Sequence, residues 1–283
     1  MKTILVPYDF SKEAQYALDF AIGMAKKTQN KLELFHVIEL PVPQTFSSFG
    51  EAGAFSSETS QIFMIELVEK RKKQMAEFEA EYKDQGFVFQ TKMVFGNPFA
   101  GISKEIADTR ADIVVMGSKG SSGLEEVLIG SNTEKVVRHA TCPVLTIKGP
   151  VKAGDIKKVV FASDFTDVPG EVIERLKAAI DAIGAELHLV KVITPSMFET
   201  SRASIKKIKD FIEDFEIDAA SYQVYNSTSE EDGILEYADD MGGDLIAMAT
   251  HGRTGFLHLL SGSIAEDVVN AAHKPVWTMK IKK

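Results

Sequence analysis

Short apolar runs alternate along this chain with longer stretches in which apolar residues recur every three or four positions. Residues 3–8 form an apolar run between polar neighbours, the pattern of a buried strand. Ser11 then precedes the alanine-rich stretch 12–27, whose spacing predicts a helix capped by that serine. Residues 31–37 predict a second strand. Residues 39–60, with Pro41, Pro43, Ser47, Ser48 and Gly50, predict a long irregular segment, and 61–83, rich in Glu, Lys, Met and Leu, a helix. An extended stretch 87–95, a short helix opened by Pro98, a buried strand 112–117, a turn 118–130, a helix starting near Ser131 and a strand 143–147 complete the first half. The second half predicts strands at 158–162, 186–192, 220–225, 244–250 and 275–279, separated by helices at 169–183, 201–215, 231–241 and 263–272. Strands that alternate with helices imply an α/β fold, here two tandem copies of an open, mostly parallel five-stranded sheet with helices on both faces.

The halves are copies of one another. Met116-Gly117-Ser118-Lys119-Gly120, followed by Gly130-Ser131, recurs 132 residues later as Met248-Ala249-Thr250-His251-Gly252 and Gly262-Ser263. The match continues without gaps: Glu134 with Glu266, Val136-Val137 with Val268-Val269, Pro143-Val144 with Pro275-Val276. Upstream, ILVPYDFS from Ile4 answers VVFASDFT from Val159 at an offset of 155, so the first copy carries 23 extra residues, mainly between its second and third strands. A long period present twice means paired domains, not a solenoid. Residues 1–148 and 156–283 are the expected domains, with 149–155, GPVKAGD, as the linker.

Composition narrows the partners. At 283 residues, 45% hydrophobic, the chain holds enough apolar material for two cores. Net charge is −9, spread as 17 basic against 19 acidic residues up to Lys148 and 15 against 22 afterwards. That balance argues against nucleic acid or an anionic membrane, both of which require a concentrated basic face. Cys142, the single cysteine, has no internal disulfide partner, and no apolar run approaches the ~20 residues of a membrane span. A reducing cytoplasm is the location these features imply. His139, His188, His258 and His273 show no metal spacing, while His36 reads as a hydrogen-bonded structural residue and Met75, Phe78 and Tyr82 as core.

The repeated turn is the candidate chemistry. Gly117 and Gly120 follow a strand whose carboxyl end faces the crevice where parallel sheets bind ligands, and glycine lets backbone approach a ligand closely. Gly130-Ser131-Asn132 opens a helix whose first N–H groups and dipole favour an anion. At ~1.5–3 kcal/mol for each charge-assisted hydrogen bond, several could hold a triphosphate without a strongly basic pocket. Asp9 ends the first strand beside the same crevice. Its carboxylate would repel phosphate, so it suits the base or ribose of a nucleotide, and a helix-capping role is equally open to it.

Gly-x2-Gly-x9-Gly-Ser, the opening ILVPYD with Ser and an alanine-containing helix, and the ending CPVLTIK resemble the universal stress protein family over nearly the whole chain, as a tandem member. The resemblance implies ATP or another adenine nucleotide held by Pro7, Asp9, Val37, Met116, Gly117, Gly120, Gly130, Ser131 and Asn132. Asp9 and Val37 would face adenine or ribose, and the glycines, Ser131 and Asn132 would line ribose and phosphates. Any Mg²⁺ would be held chiefly by the phosphates. The second copy keeps Asp164, Val192, Gly252, Gly262 and Ser263 as a weaker site; Ala249 replaces a glycine, Ile264 removes an amide donor, and His251 and Arg253 read as a solvated loop. The resemblance further implies a pseudo-dimer of the two domains through the strands around Val144 and Val276, with homodimerisation of the whole chain open. The expected role is a stress-response binding module without catalytic residues. A slow nucleotide hydrolase, and a partner-binding protein with a vestigial or non-nucleotide second pocket, stand as the alternatives.

Overall fold

The computed structural model describes residues 1–39, 58–119, 129–251 and 264–281. Its first half runs β1 Thr3–Pro7, α1 Lys12–Thr28, β2 Lys31–Ile38, α2 Glu58–Tyr82, β3 Phe89–Phe95, α3 Pro98–Thr109, β4 Ile113–Gly117, α4 Ser131–His139 and β5 Val144–Ile147. The second half repeats this as β6 Lys158–Ala162, α5 Gly170–Ile183, β7 Glu186–Ile193, α6 Ser201–Asp214, β8 Ala219–Asn226, α7 Glu230–Asp240, β9 Leu245–His251, α8 Ile264–Ala271 and β10 Val276–Ile281. Every helix and strand expected from the periodicity is present, with ends displaced by a few residues. Two short 3₁₀ turns, at 153–155 and 195–197, were not expected.

The ten strands form one sheet in the order β3-β2-β1-β4-β5-β10-β9-β6-β7-β8. Each half is a parallel, doubly wound unit whose order reverses between its first and fourth strands, the place where such sheets open a ligand crevice. The halves meet where β5 and β10 pair antiparallel, Val144 with Thr278, Leu145 with Trp277 and Thr146 with Val276. Strand alternation sends Ile4 and Val6 into one core and Leu5 into the other. The first core gathers residues of α1, α2, α5 and α6, the second those of α3, α4, α7 and α8. Both cores cross the β5–β10 seam, so the two domains share their hydrophobic interior.

Polar contacts lock the seam. Arg138 of α4 donates through Nε to Glu266 of α8 at 2.8 Å and also reaches Glu134 on its own helix. Lys148 donates to the carbonyl oxygens of Val269 and Asn270, at the end of α8. Burial, helped by the charge of Lys119, pulls Lys148 down to about 8.

Duplication extends to details that the repeated motifs do not reveal. The Asp112 carboxylate accepts from the backbone N–H of Lys2 and Thr3 at 2.6 and 2.9 Å, and Asp244 accepts from Lys157 and Lys158 at 2.8 and 3.0 Å. Each aspartate ties the start of its domain's fourth strand to the start of its first. The connection at 149–155 is also anchored: Ala153 is buried beside Gly23 of α1, and Ile156 is buried immediately after it. Part of the extra length of the first copy goes into α2, which has 25 residues where α6 has 14. The irregular segment expected at 39–60 lies almost wholly outside the described residues.

Candidate functional site

At the reversal point of the first half, the chain brings the carboxyl ends of β1, β2 and β4 together with the start of α4. Ser118 N–H donates to Ile147 O at 3.0 Å, Gly130 N–H to Ser118 O at 2.7 Å, and Thr133 Oγ1 to Gly117 O at 2.9 Å. These bonds hold the two ends of the glycine turn against each other. Gly120, between them, lies outside the described residues. Gly130 is the N-cap of α4 and supplies no side-chain acceptor, whereas Ser11, Asn97, Thr200 and Ser229 each cap their own helix. Among the described residues no side chain caps this helix start, which leaves N–H donors for an anion. Ser131 is exposed there and Asn132 half-buried.

Asp9 is aimed by a strained turn. Its Oδ1 accepts from Ser11 N–H at 3.0 Å, and Ser11 Oγ in turn accepts from Ala14 N–H at 3.1 Å. The serine is therefore the cap expected for α1, and the aspartate braces the cap. Phe10 between them takes φ 65°, an outlying conformation for a bulky side chain. Its ring is pinned edge-on by Tyr8 and His36 at 5.0 and 4.9 Å, with the Arg71 guanidinium 3.9 Å above it. His36 Nδ1 donates to Tyr8 O at 2.7 Å. Burial pushes His36 below its ordinary range, against the pull of that hydrogen bond, so it is neutral at pH 7 and serves structure, as expected. Strain held by this much packing commonly marks functional turns.

The remaining first-copy residues divide by environment. Pro7, at the end of β1, and Val37, near the end of β2, are half-buried. Met116 is 5% exposed and belongs to the core beneath the crevice. Gly117 has a reason to be glycine that the sequence did not reveal. A Cβ there would lie 2.7 Å from the carbonyl carbon and 2.8 Å from the oxygen of Glu13, in the first turn of α1. Helix packing alone demands the missing side chain, whatever the ligand.

In the second copy the same turn recurs. Asp164 Oδ1 accepts from Thr166 N–H at 3.0 Å, and Phe165 takes φ 56°. Here, however, α5 begins at Gly170, so Val168, the counterpart of Glu13, precedes the helix. Ala249 packs its methyl against the core. The retreat of the helix start and the added methyl are one change seen from two sides. Val192 is half-buried against Gly233 of α7, as Val37 is against Gly101 of α3. Gly252, Gly262, Ser263 and Arg253 lie outside the described residues.

Lys191 occupies the place of His36 and braces the same turn, donating to Asp164 O at 3.3 Å and pairing with Glu199 at 2.5 Å; Lys207 reaches Glu199 at 2.7 Å. Lys191 first, then Lys207, hold Glu199 down to about 2 from an ordinary 4.5. A depressed carboxyl contributes stability that is complete above its unfolded value and is lost as pH falls through the folded one. Wild-type melting temperature should therefore drop more steeply than that of Glu199→Gln as pH falls from about 4.5 toward about 2. Parallel melting curves for the two proteins would deny the pair this role.

Charge at the two helix starts was missed by comparing glycines alone. At the 132-residue offset, Lys135 in α4 becomes Asp267 in the first turn of α8, and Phe99 becomes Glu231 in α7. Burial, and then the charge of Glu266, raises Asp267; burial, and then the charges of Asp267 and Asp232, raises Glu231. Carboxylates here already serve the α8 dipole and repel a second anion. The ungapped repeat already sets Lys135 opposite Asp267, and reading it for charge as well as for glycines exposes the reversal.

The family model described as the universal stress protein family matches residues 1–148 and again 155–280. A Staphylococcus aureus (strain USA300) protein assigned to the universal stress proteins is 34% identical over 148 residues, 52% of this chain and 84% of that protein. The crystal structure of a universal stress protein from Archaeoglobus fulgidus DSM 4304 shares the fold along 98% of both chains, with a TM-score of 0.74 at 22% identity. A universal stress protein crystallised in complex with cAMP aligns with 44% of this chain and 96% of its own, at 18% identity and a TM-score of 0.35.

Proposed function

This chain belongs to the universal stress protein family, and from that premise we propose that it is a cytoplasmic stress-response module that binds ATP or another adenine nucleotide in its first domain, residues 1–148. The observation that carries the reading is the uncapped start of α4, hydrogen-bonded through Gly130 to the end of β4 beside the Asp9 turn. Phosphates would lie on the N–H groups following Gly130, with Ser131 and Asn132 adding side-chain donors; Gly117 and Gly120 would border the ribose and phosphates. Asp9 and Val37 would face ribose and adenine. Such a site holds Mg²⁺ through the nucleotide's own phosphates. The second domain, residues 156–283 after the 149–155 connection, is the weaker site, with Asp164 and Val192 in the matching places and Asp267 and Glu231 opposing an anion.

Binding without fast turnover is the favoured activity. Asp9 and Ser11, a polar pair at the end of β1, are hydrogen-bonded into the turn that positions them. Mass spectrometry of the native protein should find an adenine nucleotide, and calorimetry one strong site per chain. Phosphate release should fall far below the ~1–10³ s⁻¹ of ordinary enzymes. Release within that range, abolished by Asp9→Ala, would establish a hydrolase instead.

A further inference from the structure

The sheet ends at β3 and β8, equivalent strands of the two copies. An edge strand presents unpaired N–H and C=O groups to any extended chain. At β3 the edge is guarded: Glu79 of α2 accepts from Thr91 N–H at 2.8 Å and from Thr91 Oγ1 at 2.7 Å, and Lys92 places a charge within the strand. At β8 neither device is present among the described residues. Its sequence, AASYQVYN, holds no charge, proline or glycine. The register irregularity opposite Leu187 and His188 leaves Ala220 unmatched, but Ser221–Asn226 then pair regularly with β7 along their whole length. Tyr222 is 40% exposed.

We infer that Ser221–Asn226 is the edge through which two copies of this chain join, antiparallel about a two-fold axis perpendicular to the sheet. Self-pairing is what an uncharged strand permits, because no like charges are set opposite one another, and tyrosine and valine suit the pleated surface. The molecule already makes this kind of join. The β5–β10 seam unites two copies of one domain through three residue pairs, and β8 offers six residues. A two-fold contact also uses the same patch on both partners, so every favourable contact occurs twice. The flanking acids set its salt dependence: Asp240 accepts from Tyr225 OH at 2.9 Å and Glu236 from Ser227 Oγ at 3.2 Å, both on α7. These carboxylates would approach their copies across the axis, and salt screens that repulsion. The join is independent of which ligand the crevices take.

Light scattering on the full chain over rising concentration should show the mass moving from one chain to two, at lower concentration in ~1 M than in ~0.1 M salt. Tyr222→Lys, at an exposed position that tolerates the change, should weaken dimerisation at least ~10-fold, or ~1.4 kcal/mol, with its melting temperature unchanged. Phe95→Lys, on the β3 edge, should leave dimerisation as it is. Amide exchange at Ser221–Asn226 should slow as the dimer forms. A single-chain mass under all these conditions overturns the inference. So does a dimer indifferent to Tyr222→Lys, or one whose β8 amides exchange as they do in the monomer.

Discussion

Gly130→Asp is expected to abolish nucleotide binding by the first domain while leaving the fold as stable as before. The two halves of that expectation have a common cause. Gly130 sits at the N-cap of α4 with φ −72° and ψ 144°, a conformation open to any L-residue. Aspartate is among the best caps and exceeds glycine there by a few tenths of a kcal/mol, so α4 should hold or gain slightly. Its carboxylate would accept the N–H groups of the first turn, the donors that a phosphate needs. A ligand then loses two or more charge-assisted bonds, at ~1.5–3 kcal/mol each, and meets a like charge. With 1.4 kcal/mol per tenfold, affinity should fall by at least ~100-fold. Calorimetry with ATP, beside thermal melts of both proteins, separates this from unfolding. Unchanged affinity would remove the ligand from α4. The same change at Gly262 should cost less, because the α8 start is already acidic, and equal losses would reverse the ranking of the two copies.

The order of strands and helices was legible because period is a local property, and the repeat made each half a check on the other. Contacts between distant residues were not legible in that way. Gly117 read as a ligand glycine because it follows a strand; that it also makes room for Glu13 depends on α1 crossing β4, about which the spacing says nothing. The linker composition of 149–155 concealed Val151 and Ala153, both of which pack onto the first core, Ala153 beside Gly23 of α1. Asp112 and Asp244 match at the same offset as the glycines, yet an acid before a strand resembles any solvated loop residue until its two N–H partners are placed.

Divergence between the copies was legible only where the aligned residues were compared for charge as well as shape. The sequence shows Ala249 only as the replacement of a glycine; in the structure α5 starts at Gly170, so Val168 lies outside the helix at the place where Glu13 of α1 crowds Gly117. The proposal that the second domain is the weaker site rests on Asp267 and Glu231 more than on the Ala249 methyl. The Asp-Phe-Ser/Thr turn, by contrast, survived duplication together with its unusual φ, although its support changed from a neutral His36 to a charged Lys191. A conformation preserved while its supports are exchanged is one the domain requires. In both copies the turn has its aspartate accept the backbone N–H two residues on, Asp9 from Ser11 and Asp164 from Thr166.

Trp277→Ala should be the most destabilising single truncation at the seam. Trp277 is 1% exposed, lies on β10 opposite Leu145 of β5, and belongs to the core shared by both domains. Large-to-small changes of this kind cost ~3–5 kcal/mol, because the surroundings only partly close the cavity, and that is a large fraction of the ~5–15 kcal/mol by which a typical protein is folded. Trp277→Phe should behave differently. Its smaller loss of packing is offset by removing a buried indole N–H that has no hydrogen-bond partner among the described residues, a group that costs ~1–3 kcal/mol to bury. Urea unfolding followed by circular dichroism should therefore place the phenylalanine variant within ~1.5 kcal/mol of wild type, well above the alanine variant. Because both cores cross the seam, the loss should be felt in both halves: amides of β1 and β6 should exchange faster together in Trp277→Ala. Protection lost from β6 alone would mean that the two domains are stabilised separately despite their continuous sheet.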